Sequence, residues 1–260
     1  MLMIQTRIEA GIFYVALNRP DKRNAFDETI IEQLTQAFLD AAVNDDCRVV
    51  ILRGEGRHFS AGADLDWMRR LGQASAEDNV KDAGKLAALM EAVDHCPVPV
   101  ISLIQGAAYG GALGLVACSD IAIAADTARF CLSEVRLGLI PAVISPYVIR
   151  AMGLRQARRY MLSAEELDAH QACLTGLVHE VCTEEELTRR GESLARTIAG
   201  HAPGAVRECK QLVRNVGQSD VAKDVRAHTA AMIATRRASA EAQEGLAAFL
   251  EKRTPSWRAR

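Results

Sequence analysis

The segment Gln105-Gly-Ala-Ala-Tyr-Gly-Gly-Ala-Leu-Gly-Leu-Val-Ala-Cys-Ser-Asp120 decides how this chain is read. The apolar run before it, Pro99-Val-Ile-Ser-Leu-Ile104, has the character of a buried strand. After the paired Gly110-Gly111 comes a small, apolar run of helical character. Strand, glycines and helix in that order leave free backbone N–H groups at a helix start, where the helix dipole favours negative charge. Glycine lets a ligand approach such a backbone closely. A lone Gly-Gly is as well explained by a tight strand-to-helix packing turn, so the choice rests on the rest of the chain.

Upstream, residues 3–9 and 12–18 read as a hairpin around Ala10-Gly11, with alternation in Ile12-Phe-Tyr-Val-Ala-Leu17. Asp27 is placed to cap an amphipathic helix to about Val43, with Ile30, Ile31, Leu34, Ala37, Phe38 and Ala41 on one face. Val49-Val-Ile-Leu52 reads as a buried strand, Gly54 to Asp64 as a Gly-rich loop, and residues 76–95 as a second long helix. Downstream, residues 120–124 form another strand. Strands alternating with helices argue for an α/β fold with crossovers. Residues 145–175 and 184–251 then read almost entirely as helix, broken by Gly153, Gly176 and Pro203, with one short strand at Leu177-Val-His-Glu-Val181. Ser239 is the expected cap of the last helix, with Glu241 in its first turn. This divides the chain into a core at 1–200 and a helical tail at 201–260.

The composition narrows the function. The chain has 260 residues, 49% of them hydrophobic, and a net charge of −2. That suits one large domain, or one domain with an appended piece, rather than a basic nucleic-acid-binding surface. No apolar run approaches membrane-spanning length, and the first residues lack the charged and apolar regions of a secretion signal. Seven dispersed cysteines without a C-x-x-C pair read as reduced core thiols of a cytoplasmic protein.

Five segments line up in order: Asn18-Arg-Pro-Asp-Lys-Arg-Asn-Ala25, Phe59-Ser-Ala-Gly-Ala-Asp-Leu65, the segment from Gln105 to Asp120, Phe130-Cys-Leu-Ser-Glu-Val-Arg-Leu-Gly-Leu-Ile-Pro141, and Glu244-Gly-Leu-Ala-Ala-Phe-Leu-Glu-Lys-Arg253. Together they resemble the crotonase (enoyl-CoA hydratase/isomerase) family across essentially the whole chain. The resemblance implies an α/β fold with a crotonase-like ββα spiral core at 1–200 and a C-terminal helical trimerisation region at 201–260. It implies acyl-CoA thioester substrates, with CoA entering as part of the substrate, and no metal or separate cofactor. It also implies a homotrimer or a homohexamer built as a dimer of trimers, with neither nucleic acid nor membrane as a partner.

By that resemblance the backbone N–H groups of Ala61 and Gly111 form an oxyanion hole for the thioester oxygen. CoA contacts carry over to Arg23 and Ala25, to Ala61, Gly62, Ala63, Asp64 and Leu65, and to Phe249 and Lys252 of the tail. Family hydratases commonly use two glutamates. The later one matches Glu134, but the earlier one, three residues after Gly111, is Gly114 here. Two routes remain: Glu134 acts alone as base and then acid, or another carboxylate, such as Asp64, Asp66 or the substrate's own, replaces the missing group. An isomerase shuttling a proton between C2 and C4 also needs only Glu134. The run Pro141-Ala-Val-Ile-Ser-Pro-Tyr147, with Ala63-Asp-Leu-Asp-Trp-Met68, resembles the bacterial branch that hydrates 3-methylglutaconyl-CoA in leucine breakdown, and its relative acting on isohexenylglutaconyl-CoA in acyclic terpene breakdown. A glycine at the earlier glutamate position is usual in that branch.

Both substrates carry a distal carboxylate, for which Arg69, Arg70 and Arg136 are the available cations. Trp67 and Met68 either wall the acyl pocket or belong to the core, and His58 reads as a loop residue beside CoA. An RNA-binding protein and a catalytically idle scaffold are the rival readings from other classes. The charge balance argues against the first, and the retained Glu134 and oxyanion-hole positions argue against the second.

Overall fold

The structure is a computed structural model describing residues 3–217 and 223–258. The hairpin forms as anticipated: β1 (Ile4–Glu9) and β2 (Ile12–Leu17) pair antiparallel, with Ile4 opposite Leu17 and Glu9 opposite Ile12. A two-residue hairpin turn of this hand needs positive φ at both positions, and Ala10 (48°) and Gly11 (79°) supply it. The alternation expected of β2 is absent, because all six of its residues are buried. The cause is its place in the sheet. β2 runs parallel to β3 (Val49–Gly54), and helices cover both faces.

The main sheet has the order β1-β2-β3-β4-β6-β9, with β4 at Val100–Ile104, β6 at Ile121–Ala125 and β9 at Glu180–Cys182. All neighbours except β1 and β2 are parallel. One face carries Phe13, Val15, Leu17, Val50 and Leu52 into a large core with α1 (Glu28–Val43) and α3 (Ala76–Asp94). The other face, with Ile12, Tyr14, Val49, Ile51 and Leu103, packs on α7 (Glu184–Ala199). Asp27 caps α1 by accepting the Ile30 N–H at 3.0 Å, and the six residues read as its apolar face are its buried ones. Between α1 and α3 lies the short α2 (Leu65–Leu71).

A second, small sheet with the order β5-β7-β8 comes from Ala107–Tyr109, Arg129–Cys131 and Leu167–Asp168. Strands of two or three residues are too short to show a period, so the sequence does not reveal them. β5 feeds directly into α4 (Gly111–Cys118). The long helical reading after residue 145 resolves into α5 (Ser145–Ser163), bent at Gly153, followed by β8 and α6 (Ala169–Leu174). The strand expected at 177–181 begins three residues later. Leu177 and Val178 are buried, but their N–H groups both bond to the Ala172 carbonyl and close the end of α6.

Three helices follow among the described residues: α8 (Pro203–Gly217), α9 (Lys223–Ala238) and α10 (Ala240–Leu250). Ser239 caps α10 as anticipated. The Glu241 carboxylate reaches instead to α8, accepting the Gly204 and Ala205 N–H groups at 2.9 and 3.0 Å. The tail is tied to the core through α8. Lys210 Nζ bonds to Asp120 Oδ2 at 2.6 Å and to the Val98 carbonyl at 3.2 Å, and Asp120 Oδ2 also accepts the Val100 N–H at 2.7 Å.

The contact between α7 and the sheet depends on Gly191. A Cβ there would run into the Leu103 side chain, with Cδ1 at 2.8 Å. Gly191→Ala is expected to destabilise the fold by about 1–3 kcal/mol through overpacking. A chemical denaturation curve with an unchanged slope and a lower midpoint is the expected result.

Candidate active site

The loop Phe59–Asp64 is stitched between two neighbouring segments. On one side, Phe59 N–H bonds to the Gln105 carbonyl (2.8 Å), Ser60 N–H to the Ala107 carbonyl (3.0 Å), and Tyr109 N–H to the Ser60 carbonyl (3.0 Å). On the other, Ala61 N–H bonds to the Arg23 carbonyl (2.9 Å), Phe26 N–H to the Gly62 carbonyl (2.6 Å), and Asp64 N–H to the Phe26 carbonyl (2.7 Å). Asn24 locks this arrangement. It is fully buried at a φ of 55°, and its side chain accepts the Arg19 N–H while donating to the carbonyls of Glu55 and His58. The Ser60 hydroxyl closes the ring by bonding to the Asn24 carbonyl at 2.8 Å.

This pairing corrects one expectation. The Ala61 N–H is not free to hold an oxyanion, because the Arg23 carbonyl takes it. Two residues on, the N–H of Ala63 has no acceptor among the described residues. The N–H of Gly111, the first residue of α4, has no partner within its own helix and no other acceptor among the described residues. The segments carrying these two donors touch. A Cβ at Gly62 would lie 2.6 Å from the Tyr109 carbonyl oxygen and 3.7 Å from Gly110 Cα, so only glycine, here at a φ of 86°, allows the approach.

Glu134 begins a 3₁₀ turn, Glu134–Leu137, beside this pair. Its Oε1 lies 3.3 Å from the point where a Cβ on Gly110 would stand. Its Oε2 is buried and has no hydrogen-bond partner among the described residues. The neighbouring cation does not serve it: Arg136 donates to the Ala164 carbonyl. Burial therefore raises the Glu134 pKa above the usual carboxylate range, opposed only by its own backbone N–H. A half-buried carboxylate with one shielded, idle oxygen is suited to take up and return a proton.

The other expected residues divide clearly. A side chain on Gly114 would enter space filled by Ile144 and Met90, whose Sδ would lie 2.6 Å from the new Cβ. The earlier glutamate of two-carboxylate hydratases thus has no room here. Asp64 does not replace it. Burial would raise its pKa, but the N–H groups of Trp67 and Asp66 and the charge of Arg19 outweigh that and hold it low, with the carboxylate spent on capping α2. Asp66 is exposed and pairs with Arg69. Arg70 pairs with Glu28 at the surface. His58 accepts the Ala107 N–H on Nδ1, and burial, Arg23 and Arg57 lower its pKa, so it is a neutral structural acceptor. Trp67 belongs to the core and donates to Asp82, while Met68 is half-buried and Leu65 exposed.

Arg23 meets the loop 61–65 through its carbonyl, whereas Ala25 bonds to Lys22 and only precedes Phe26, which pairs with Gly62 and Asp64. Phe249 and Lys252 are not joined to it. They lie exposed at the end of α10, and no hydrogen bond or ion pair among the described residues links them to 23–25 or 61–65. A cavity of about 660 Å³ opens at the opposite, C-terminal end of α4, against α8. It is lined by none of the residues above, and its Arg150 and Lys210 are paired with Asp94 and Asp120.

The profile of the family described as "Enoyl-CoA hydratase/isomerase" matches residues 7–260. The chain belongs to the enoyl-CoA hydratase/isomerase family. The crystal structure of an enoyl-CoA hydratase from Shewanella pealeana superposes with a TM-score of 0.95 at 45% identity, covering 98% of this chain and 96% of that one. Pseudomonas aeruginosa AtuE gives a TM-score of 0.94 at 33% identity, covering 98% and 99%. The 2,3-dehydroadipyl-CoA hydratase of Escherichia coli is 31% identical over 250 residues, 96% of each chain. These similarities establish the crotonase fold and an enzyme of the enoyl-CoA hydratase type.

The packed space at Gly114 has a direct consequence for this family member. Gly114→Glu restores the two-glutamate pattern on paper, yet it forces a charged side chain between Met90 and Ile144. It is expected to lower the melting temperature and reduce turnover rather than raise it. Thermal melting and initial rates on the same preparation check this. An unchanged melt with faster hydration would count against the packing argument.

Proposed function

We propose that this enzyme hydrates a branched 2-enoyl-CoA bearing a distal carboxylate, 3-methylglutaconyl-CoA or isohexenylglutaconyl-CoA, with Glu134 as the only carboxylate in the reaction. The observation that carries the proposal is Glu134, with an unpartnered Oε2 and its Oε1 beside Gly110, next to the Gly111 N–H that, like that of Ala63, has no partner among the described residues. The name of the Escherichia coli relative supports the acyl class, since 2,3-dehydroadipyl-CoA also ends in a carboxylate.

In this mechanism the thioester oxygen accepts hydrogen bonds from the N–H groups of Ala63 and Gly111. Water attacks C3 while Glu134 takes one of its protons. The electron pair of the 2,3 double bond moves toward the thioester oxygen, where the two donors meet the developing charge without rearranging. The enolate then collapses and takes the proton from Glu134 at C2. Net water has been added, and Glu134 ends as it began.

Isomerisation is the second reading, favoured by the same filled space at Gly114, because a lone glutamate suffices to move a proton between C2 and C4. An assay offering crotonyl-CoA, 3-methylglutaconyl-CoA, isohexenylglutaconyl-CoA and a 3-enoyl-CoA separates the two. Hydration of a glutaconyl substrate at the highest kcat/KM is the expected outcome. Isomerisation of the 3-enoyl-CoA with no hydration of the others would replace this reading with the second.

The apolar stripe Leu246, Phe249 and Leu250 on α10 is exposed. It supports assembly as a homotrimer or a dimer of trimers, with the stripe covered by another protomer. Light scattering that gives a monomer mass at micromolar protein would contradict that assembly.

Glu134→Gln is expected to lower kcat by about 10²–10⁴-fold. In the wild type, kcat should fall as pH drops through the raised Glu134 pKa, because protonation removes the base. The stability effect has the opposite sense. A carboxyl whose folded pKa lies above its unfolded value binds more protons folded, so its contribution to stability declines as pH rises through that window. Glu134→Gln should therefore melt higher than wild type near neutral pH, and the gap should close below the ordinary glutamate pKa.

A further inference from the structure

Hydration requires a water held against C3, and Gly114 leaves no room for a second carboxylate to help hold it. The corner at Gly110 offers a different group. Ser133 immediately precedes the turn that carries Glu134. Its Oγ lies 4.0 Å from the point where a Cβ on Gly110 would stand, and Glu134 Oε1 lies 3.3 Å from the same point. Gly110 leaves that point open, and its φ of 53° disfavours any side chain there. A carboxylate oxygen and a hydroxyl thus face the same point at the N-terminus of α4, on the residue before Gly111.

The Ser133 hydroxyl is also unspent. It precedes a turn but makes no capping bond to it, and it has no hydrogen-bond partner among the described residues. The residue is half-buried, so the hydroxyl stands at the edge of the site rather than sealed in the core. Serines at such positions ordinarily bond to nearby backbone. This one does not.

We propose that Ser133 is a catalytic residue that, with Glu134, holds the attacking water and takes over the positioning role of the carboxylate that Gly114 excludes. This rests on the hydratase reading above. A serine hydroxyl both donates and accepts, so Oγ accepts one O–H of the water while Glu134 accepts the other, leaving an oxygen lone pair for C3. On attack, the O–H bond directed at Glu134 breaks and its proton passes to the carboxylate. The new bond forms between the water oxygen and C3, and the remaining proton stays on the product hydroxyl, still hydrogen-bonded to Ser133. Ser133 never changes its own protonation state.

The test compares wild type, Ser133→Ala, Ser133→Thr and Glu134→Gln as full-length proteins. Hydration is measured on the best substrate of the panel above. A second readout is Glu134-dependent exchange of the C2 proton of butyryl-CoA in D₂O, which uses the donors and the base but no attacking water. Ser133→Ala is expected to lose about 10- to 100-fold in kcat for hydration with KM changed less than about threefold, while its exchange rate stays within about twofold of wild type. Ser133→Thr, which keeps the hydroxyl, should recover most of the hydration rate. Hydration by Ser133→Ala within threefold of wild type overturns the proposal, as does a parallel fall of hydration and exchange, which would mark a structural role. A wild type that exchanges protons but hydrates nothing overturns the hydratase reading itself, and this inference with it.

Discussion

The site depends on one buried amide. Asn24 sits at a left-handed backbone position, fully shielded from solvent, and its side chain and carbonyl bind four separate groups: the Arg19 N–H, the Glu55 and His58 carbonyls and the Ser60 hydroxyl. Leaving even one buried polar group unmade costs about 1–3 kcal/mol, so these bonds strongly favour a single arrangement. That arrangement fixes the loop 59–64 between the segments after β1–β2 and after β4. Every later feature of the site follows from it, including which N–H groups are spent and which remain.

The same economy explains the electrostatics. Asp64 is close to the loop and carries a charge, but three partners occupy it and hold its pKa down. Glu134 is less charged at a given pH, but one of its oxygens has nothing to bind. The proposed mechanism gives the chemistry to the group that folding left unsatisfied, at some cost to stability. The backbone follows the same pattern, with the N–H of Ala61 consumed and that of Ala63 left over.

Much of this was legible in the sequence. The α1 face, its Asp27 cap and the β1–β2 register depend on local periodicity and turn chemistry, and those residues announce themselves. The five motifs carried the family. The β5–β7–β8 sheet did not show, because two or three residues carry no period. The choice between Ala61 and Ala63 did not show either: every residue has an N–H, and only the pairing with Arg23 and Phe26 tells which is free. Gly114 was visible as a gap, but that Met90 and Ile144 fill it is a long-range packing fact. Leu177 and Val178 read as strand because both are apolar and Val178 is β-branched, whereas their backbone closes a helix.

The Lys210–Asp120 contact reaches further than the tail it fastens. Asp120 Oδ2 also holds the Val100 N–H, at the start of the strand that runs through Ile104 into Gln105 and on to Gly111. Tail helix, β4 and the proposed donor Gly111 are thus consecutive links of one chain of contacts. The helical tail after residue 200 is therefore fastened to the sheet: loosening α8 would slacken β4, about a hundred residues earlier in the chain, and with it the segment that leads to Gly111.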